Sequence, residues 1–265
     1  MNEILLNKPN MMYGGEFTFT TPGEHKVKVP EGVTSISILC IGGGGGGSTS
    51  YGGGGGGGGG LSWRNNVAVT PGEELYIWVA EGGAKGSSGQ SSYVNYNSTQ
   101  ICTAYGGGRG YQKDSGVGGA GGKRASSNND GGYDGGRGGE GQASVSGGGG
   151  AAGAYYAVGA SGGDRGRDGN NGTGGGGGSG KGSSESKPAG NGGDTGLYGP
   201  GANGLAGLAG SYNGKHGSID KYPNTPHAGG GNGANSERTL AANGGVRIIW
   251  GEERAFPDIN VGPSE

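Results

Sequence analysis

Tyrosine is the residue type in this chain whose number and placement best fit a binding chemistry. Eight of the 13 tyrosines fall between positions 105 and 222, in a stretch otherwise rich in Gly, Ser, Asn, Asp and Arg. A tyrosine ring offers a large contact area at low entropic cost, and small polar side chains adapt their hydrogen bonds, as in antibody loops. The alternative, that these rings cap the few apolar surfaces of the stretch, stays open. The candidate ligand-binding residues are Tyr133, Tyr155, Tyr156, Tyr198, Tyr212 and Tyr222.

Motifs that would support catalysis or metal binding are incomplete. The segment GGGGSGK at 175–181 imitates a phosphate-binding loop, but Lys181 is followed by glycine where a Ser or Thr should hold magnesium. His25, His216 and His227 are widely separated and have no metal-ligand spacing. No acid pair and no nucleophile with its base stands out. The sequence therefore predicts no enzyme, no metal site and no cofactor.

The two cysteines permit at most one disulfide. Cys40 falls on the apolar face of a predicted strand, where a cysteine more often acts as a small buried hydrophobe than as a nucleophile. Cys102 is a candidate neighbour for it. Whether the two residues pair is left open by the sequence.

Charge and hydrophobicity exclude several classes of protein. The chain has 19 basic and 21 acidic residues, which gives a net charge of −2 and makes nucleic acid an unexpected partner. No apolar run approaches the ~18 residues that a membrane-spanning helix needs. The first residues, MNEILLNKPN, lack both a basic n-region and an apolar h-region, so no signal peptide is predicted.

Alternating apolar and polar residues predict β-strands near both ends of the chain. EFTFTTPGEHKVKVP and NVAVTPGEELYIWV each read as strand segments around a Pro-Gly turn, at Pro22-Gly23 and Pro71-Gly72. VTSISILCI, SSYVNYN, TQICTAY and GGVRIIWG are further strand candidates. No stretch has a convincing helical period, so we expect little or no α-helix.

The last predicted strand, Val246–Trp250, follows a long glycine-rich middle. A two-stranded ribbon is marginally stable on its own, so this strand should return to the N-terminal sheet. We therefore predict an all-β fold, a β-sandwich with a large glycine-rich insertion. The predicted divisions are an N-terminal docking arm or linker at 1–15, the β-sandwich at 16–105 plus 240–256, the glycine-rich region at 106–239, and a C-terminal tail at 257–265.

The glycine spacing in the middle region has a period of three. Residues 106–234 include 49 glycines in 129 positions. In VGGAGGK, Val117, Ala120 and Lys123 fall on every third position. Three residues per turn is the repeat of the polyproline-II helix, and close packing of such helices leaves room only for hydrogen at inward positions. The sequence therefore predicts packed polyglycine-II helices whose turns display the tyrosines.

Three other readings of the glycines compete with this one. Collagen needs an unbroken Gly-X-Y repeat and ~15–20% proline, whereas this chain has 10 prolines and repeatedly breaks register. A flexible Gly/Ser linker is disfavoured by the period of three and by the closing strand, which must return to the sheet. A calcium-binding β-helix needs a nine-residue repeat, which the scattered aspartates of this chain do not follow.

Two passages resemble the glycine-rich virion structural proteins of tailed bacteriophages, which include tail-fibre and receptor-binding proteins. They are TPGEHKVKVPEGVTSISILCIGGGGGG, with YGGGGGGGGGLSW and VTPGEELYIWV behind it, and NGGVRIIWGEERAFPDIN. The match covers residues 16–80 and 244–260. The period-three middle is also similar to adhesins with packed polyglycine-II helices at long tail-fibre tips, although here a β-domain precedes and closes around the glycine region.

The resemblance implies a non-enzymatic virion protein of the tail or a fibre, assembled in the host cytoplasm. Its partners would be other virion proteins and a host surface polysaccharide or outer-membrane protein. The alternative is a purely structural subunit, such as a head or neck fibre or a decoration protein. Fibre proteins are often trimers, and a homotrimer is left open. A polyglycine-II antifreeze protein is disfavoured, because Arg, Asp and Tyr occupy positions where flat rows of small residues are needed.

Overall fold

The computed structural model describes most of the chain outside residues 207–240 and the two termini. Within the described part there is no α-helix, and hence none long and apolar enough to cross a membrane. The described residues are 14–50, 52–112, 116–142, 145–173, 190, 192–193, 195–199, 203, 205–206 and 241–257.

The described residues form nine strands in two antiparallel sheets. A five-stranded sheet has the order β1-β9-β3-β4-β8, and a four-stranded sheet has the order β2-β5-β6-β7. The predicted all-β class is confirmed. The strands are β1 Gly15–Phe19, β2 Gly23–Lys28, β3 Ser35–Ile41, β4 Leu61–Ala68, β5 Glu74–Val79, β6 Ser92–Tyr96, β7 Thr99–Ala104, β8 Gly131–Tyr133 and β9 Gly245–Trp250.

Strand β9 returns from the glycine-rich middle to the N-terminal sheet, as the sequence predicts. It pairs with β1 on one side, where Phe17 lies opposite Ile248, and with β3 on the other, where Cys40 lies opposite Val246. The last strand is therefore the second strand of the five-stranded sheet, and the chain closes on itself.

The two sheets pack face to face through the apolar side of each strand. Ile38 and Cys40 of β3, Ile77 of β5, Val94 of β6 and Ile248 of β9 all belong to one buried cluster. Period-two alternation produces this arrangement, because every second side chain of a strand points to the same face. The placement of Cys40 on the buried face is confirmed.

Both predicted Pro-Gly turns carry the chain from one sheet to the other. Strands β1 and β2 flank the first turn, and β4 and β5 flank the second, yet the members of each pair lie in different sheets. Gly72 has φ of 83°, a conformation that glycine adopts without steric cost, and its amide donates to Val29 O at 2.8 Å. These turns are arches between sheets, a distinction that turn residues alone do not encode.

A second apolar cluster covers the other face of the five-stranded sheet. Side chains from outside the sheet, Ala152, Tyr155, Leu197 and Phe256, pack there against residues that include Leu39 of β3. This sheet is therefore covered on both faces. The cover comes partly from the region that the sequence assigns to the glycine-rich insertion.

The glycine runs pack by backbone hydrogen bonds. In residues 52–60, successive carbonyls accept from three different neighbouring segments in a repeat of three. The amides of Gly147, Gly150 and Gly153 donate to the carbonyls of Gly53, Gly56 and Gly59 at 3.0, 2.9 and 2.8 Å. The amides of Ser48, Gly45 and Gly42 donate to the carbonyls of Gly54, Gly57 and Gly60 at 3.0, 2.8 and 2.9 Å. The amides of Gly119 and Gly122 donate to the carbonyls of Gly55 and Gly58, both at 2.7 Å.

This packing is too close for side chains. A Cβ at Gly56 would lie 1.9 Å from Gly45 O, and one at Gly57 would lie 2.0 Å from Ala120 O. Both distances are far inside van der Waals contact. Glycine is needed at these positions because neighbouring backbones approach closely.

Candidate ligand-binding site

Three of the candidate tyrosines meet at one groove of about 540 Å³. We call it the Tyr156 groove. Tyr133 ends strand β8, while Tyr155 and Tyr156 lie in the loop that covers the five-stranded sheet. Residues that are far apart in the sequence reach this groove because β8 pairs with β4. This pairing brings Tyr133 opposite Leu61. The lining residues are Trp63, Arg124, Asp130, Gly131, Gly132, Tyr133, Asp134, Tyr155, Tyr156, Val158 and Pro257.

Tyr155 forms the base of the groove and does not present its ring to solvent. Its exposed fraction is 0%, and its ring lies 6.3 Å from that of Trp63, nearly parallel at 16°. Its hydroxyl donates to Gly196 O at 2.9 Å and accepts from Gly199 N at 3.2 Å. Burial raises the pKa of this hydroxyl well above its usual range. Tyr155 is therefore a core residue that supports the groove, and its burial is at odds with the predicted display on a loop.

Tyr156 and Val158 form the exposed aromatic and aliphatic surface of the groove. Their exposed fractions are 50% and 56%. The Tyr156 hydroxyl donates to Pro257 O at 3.2 Å, which restricts the orientation of the ring. A ring held in place loses less conformational entropy when it binds a partner. Of the adjacent pair, Tyr156 is thus the residue that can contact a ligand.

The rim of the groove is polar and carries charges of both signs. Asp130 accepts a hydrogen bond from Asn65 N at 2.7 Å, so its carboxylate also fixes the end of the groove. Asp134 accepts from Arg124 N at 2.9 Å and from Lys123 Nζ at 2.7 Å. These bonds hold the rim in shape, and the remaining carboxylate and guanidinium capacity is available for polar contacts.

Glycine 131 is what allows Trp63 to form one wall of the groove. A Cβ at Gly131 would lie 2.3 Å from Trp63 Cζ2, so the indole sits against the bare backbone of β8. Any larger residue at this position would displace the indole. The wall therefore depends on a glycine outside the long glycine runs.

Tyr198 lies elsewhere and has a structural contact. The guanidinium carbon of Arg247 is 4.5 Å from the centre of its ring, and its hydroxyl donates to Thr18 Oγ1 at 3.3 Å. These contacts attach Tyr198 to strands β9 and β1. The other two candidates, Tyr212 and Tyr222, lie outside the described residues.

The sequence interpretation missed the charged members of the groove, Arg124, Asp130 and Asp134. The segment DGGYDGG encloses Tyr133 between Asp130 and Asp134, which is a local signal that was available. Arg124 has no such signal, because a bridge to Ala104 and the bond from its amide to Asp134 bring it to the groove. Among the described residues, no three His, Cys, Asp or Glu side chains are grouped so that they could hold a metal ion.

The chain matches a known protein family. A family model described as a glycine-rich domain matches residues 20–251, which is most of the chain. The protein therefore belongs to this glycine-rich domain family. No curated protein matches the chain.

Proposed function

We propose that this protein is a structural component of a bacteriophage virion, located on the tail or a fibre, and that it contributes to host-receptor recognition. The observation that carries the proposal is the Tyr156 groove, where an exposed tyrosine, an exposed valine and a charged rim lie together on a tightly packed base. The resemblance of residues 16–80 and 244–260 to phage virion proteins supports the location.

The rigid support of this groove is a bundle of polyglycine-II helices. The three-residue repeat of acceptors in residues 52–60 supports this packing, because three residues per turn is the repeat of the polyproline-II helix. Each helix then bonds to several neighbours, and the buried amides and carbonyls are satisfied without side chains. Such a scaffold leaves its turns free to carry any residue.

The groove recognises its partner by combining an aromatic face with adaptable polar groups. The Tyr156 ring and Val158 supply apolar contact, while Asp130, Asp134 and Arg124 accept or donate hydrogen bonds at the rim. This combination suits a host surface polysaccharide or a polar loop of an outer-membrane protein. No proton transfer or covalent step is involved.

A purely structural virion subunit is the second candidate function. Its support is the burial of Tyr155 and the attachment of Tyr198 to Arg247, because two of the six candidate tyrosines then stabilise the fold. In this case the Tyr156 groove contacts another virion protein, in a head or neck fibre or a decoration protein.

Adsorption competition separates the two functions. Purified protein is added to host cells before infection, and free phage is counted. We expect dose-dependent blocking by the wild type, loss of blocking by Tyr156→Ala, and full blocking by Tyr105→Ala, which removes a tyrosine of similar exposure outside the groove. Circular dichroism verifies that both variants are folded.

The assay is repeated with protein displayed in many copies on beads, since multivalent display recovers the avidity that a detached monomer lacks. If folded wild-type protein fails to block in both formats, receptor binding is excluded and the structural subunit is favoured. If Tyr156→Ala blocks as well as the wild type does, the Tyr156 groove is not the receptor site.

A further inference from the structure

The outer face of the four-stranded sheet carries a row of aromatic side chains that no described segment covers. Leu75, Ile77 and Val79 of β5 point into the core between the sheets, so Tyr76 and Trp78 point outwards. Val94 of β6 also points inwards, so its neighbours Tyr93 and Asn95 point outwards. A solvent-facing sheet surface is ordinarily polar, and aromatic residues grouped there indicate a binding surface.

These side chains form an ordered grid across three strands. Trp78 is the register partner of both Glu24 on β2 and Tyr93 on β6. Tyr76 is in turn the partner of Lys26 and Asn95. Together with Ser98, most of these residues line a groove of about 390 Å³, on the opposite side of the two packed sheets from the Tyr156 groove. We call it the Trp78 groove.

The two aromatic rings at its centre are aligned and held. The Trp78 and Tyr93 rings are nearly parallel, at 9°, with centres 6.4 Å apart. The indole Nε1 of Trp78 donates to Gln90 Oε1 at 3.3 Å, which fixes the rotation of the indole. Both rings are partly exposed and line the groove. Aromatic surface that is already oriented loses little entropy on binding.

The polar groups around these rings include acidic side chains and a lysine. Among the described residues, Glu24 is the acidic residue that lines the groove, and its carboxylate is paired with Lys26 Nζ at 3.0 Å. Lys26 Nζ also lies 5.0 Å from the centre of the Tyr76 ring. Asn95 Oδ1 is buried with no hydrogen-bond partner among the described residues. The Tyr76 hydroxyl also donates to Glu74 Oε2 at 3.0 Å. The groove therefore has aromatic surface bordered by hydrogen-bonding groups and by two carboxylates, one of which is paired with Lys26.

We propose that the Trp78 groove is a binding site for a neutral pyranose unit of a polysaccharide. The C–H face of a pyranose ring is flat and carries partial positive charge, which matches the electron-rich faces of Trp78 and Tyr93. Its hydroxyl groups match the carboxylate, amide and hydroxyl groups at the edge. A phosphate or a sialylated glycan would meet the carboxylates of Glu24 and Glu74, and Lys26 is already paired with Glu24. The site is separate from the Tyr156 groove and does not depend on the proposed virion function.

Glycan-array binding by the full chain is the first test. The array carries neutral hexopyranose oligosaccharides together with sialylated and phosphorylated glycans. We expect the neutral glycans to bind, and the strongest of them is then used in calorimetric titrations. Folded wild-type protein that binds no neutral glycan, or binds only charged ones, overturns the proposal.

Variants locate the binding to the rings. Trp78→Ala should raise Kd for that oligosaccharide by roughly tenfold or more, as for an aromatic anchor at the centre of a site. Tyr93→Phe keeps the ring and should stay within about threefold of wild type, whereas Tyr93→Ala should not. Tyr105→Ala, an exposed tyrosine outside the groove, is the matched control. Equal affinity of Trp78→Ala and wild type contradicts the site.

Saturation-transfer NMR on the wild-type protein gives a test that needs no variant. With irradiation of the aromatic protein protons, we expect the C–H protons on one face of the bound pyranose to receive the strongest saturation. Uniform saturation of both faces of the pyranose, or no saturation, contradicts stacking of the pyranose on the Trp78 and Tyr93 rings. This test holds even where a Trp78 variant fails to fold.

Discussion

The guanidinium of Arg247 lies 4.5 Å from the centre of the Tyr198 ring and so connects the closing strand to the glycine-rich stretch before it. The Arg247 side chain is fully buried, and its Nη2 donates to Glu16 Oε2 at 2.5 Å. Its Nη1 donates to Leu197 O at 3.3 Å. One charged side chain thus joins β1, β9 and the segment that covers the five-stranded sheet.

Removing the negative partner of Arg247 should destabilise the fold strongly. Glu16→Gln keeps the side-chain shape but leaves a buried guanidinium without a compensating charge, which typically costs about 3 kcal/mol or more. We expect the urea midpoint to fall with an unchanged m-value. The matched control is Glu24→Gln, because the Glu24–Lys26 pair has side chains 57% and 53% exposed and should contribute nothing measurable. Equal midpoints for the two variants would show that the buried pair does not stabilise the protein.

The glycine runs should tolerate no side chain at their contact positions. Gly56→Ala would place a Cβ 1.9 Å from Gly45 O, and relief of that overlap should lower the free energy of unfolding by about 1–3 kcal/mol. Gly196→Ala is the control, because nothing lies within 4 Å of its added Cβ. Its effect on urea unfolding should stay within about 0.5 kcal/mol. A Gly56→Ala variant as stable as the wild type would argue against close packing of these segments.

Stability should fall at alkaline pH partly because of Tyr155. Burial raises the pKa of its hydroxyl above the ordinary value of about 10. The unfolded chain then loses the proton first, so it binds fewer protons than the folded state and the free energy of unfolding decreases as pH rises past about 10. Tyr155→Phe removes this titration and should lose less stability than the wild type between pH 8 and pH 10.5.

The same variant has a cost at neutral pH. Gly196 O and Gly199 N lose their hydrogen-bond partner when the Tyr155 hydroxyl is removed. Tyr155→Phe should therefore be about 1–2 kcal/mol less stable than the wild type at pH 8 in urea unfolding. Tyr156→Phe, next to it and exposed, should match the wild type at that pH. An unchanged alkaline loss of stability in Tyr155→Phe would exclude this hydroxyl as its source.

The two cysteines should be inert while the protein is folded. Both are free and buried, and burial together with the neighbouring Cys102 raises the pKa of the Cys40 thiol well above its ordinary value. Because the thiolate is the reactive species, Ellman's reagent should label no thiol in the native protein and two after denaturation. Rapid labelling of the native protein would contradict their burial. Failure to label the unfolded chain would indicate a disulfide.

The sheets could be predicted from local pattern because their period is local. Ile36, Ile38 and Cys40 alternate with other residues in β3, and the structure buries all three in the core between the sheets. The return of Val246–Trp250 followed from a physical requirement, since a lone strand cannot satisfy its backbone. The partners of each strand did not follow, because Pro-Gly turns occur both in hairpins and in arches.

The candidate site was harder to predict, because exposure depends on the chain that folds over a residue. Tyr155 and Tyr156 are adjacent and identical in type, yet one is fully buried and the other is 50% exposed. Tyr76 and Trp78 did carry a local signal, since they alternate with Leu75, Ile77 and Val79 and so occupy the opposite face of β5. The groove on that face, and the lack of a described segment that covers it, depend on the tertiary structure.

The amino-acid sequence by itself determined the strand segments, the all-β class and the places where only glycine is present. These features depend on side-chain alternation and on the lack of a Cβ, which are properties of neighbouring residues along the chain. Only the tertiary structure decided which tyrosines are buried, which charges meet and where the grooves lie. Arg247 and Glu16 are 231 positions apart, and their contact exists only because β1 and β9 pair in one register.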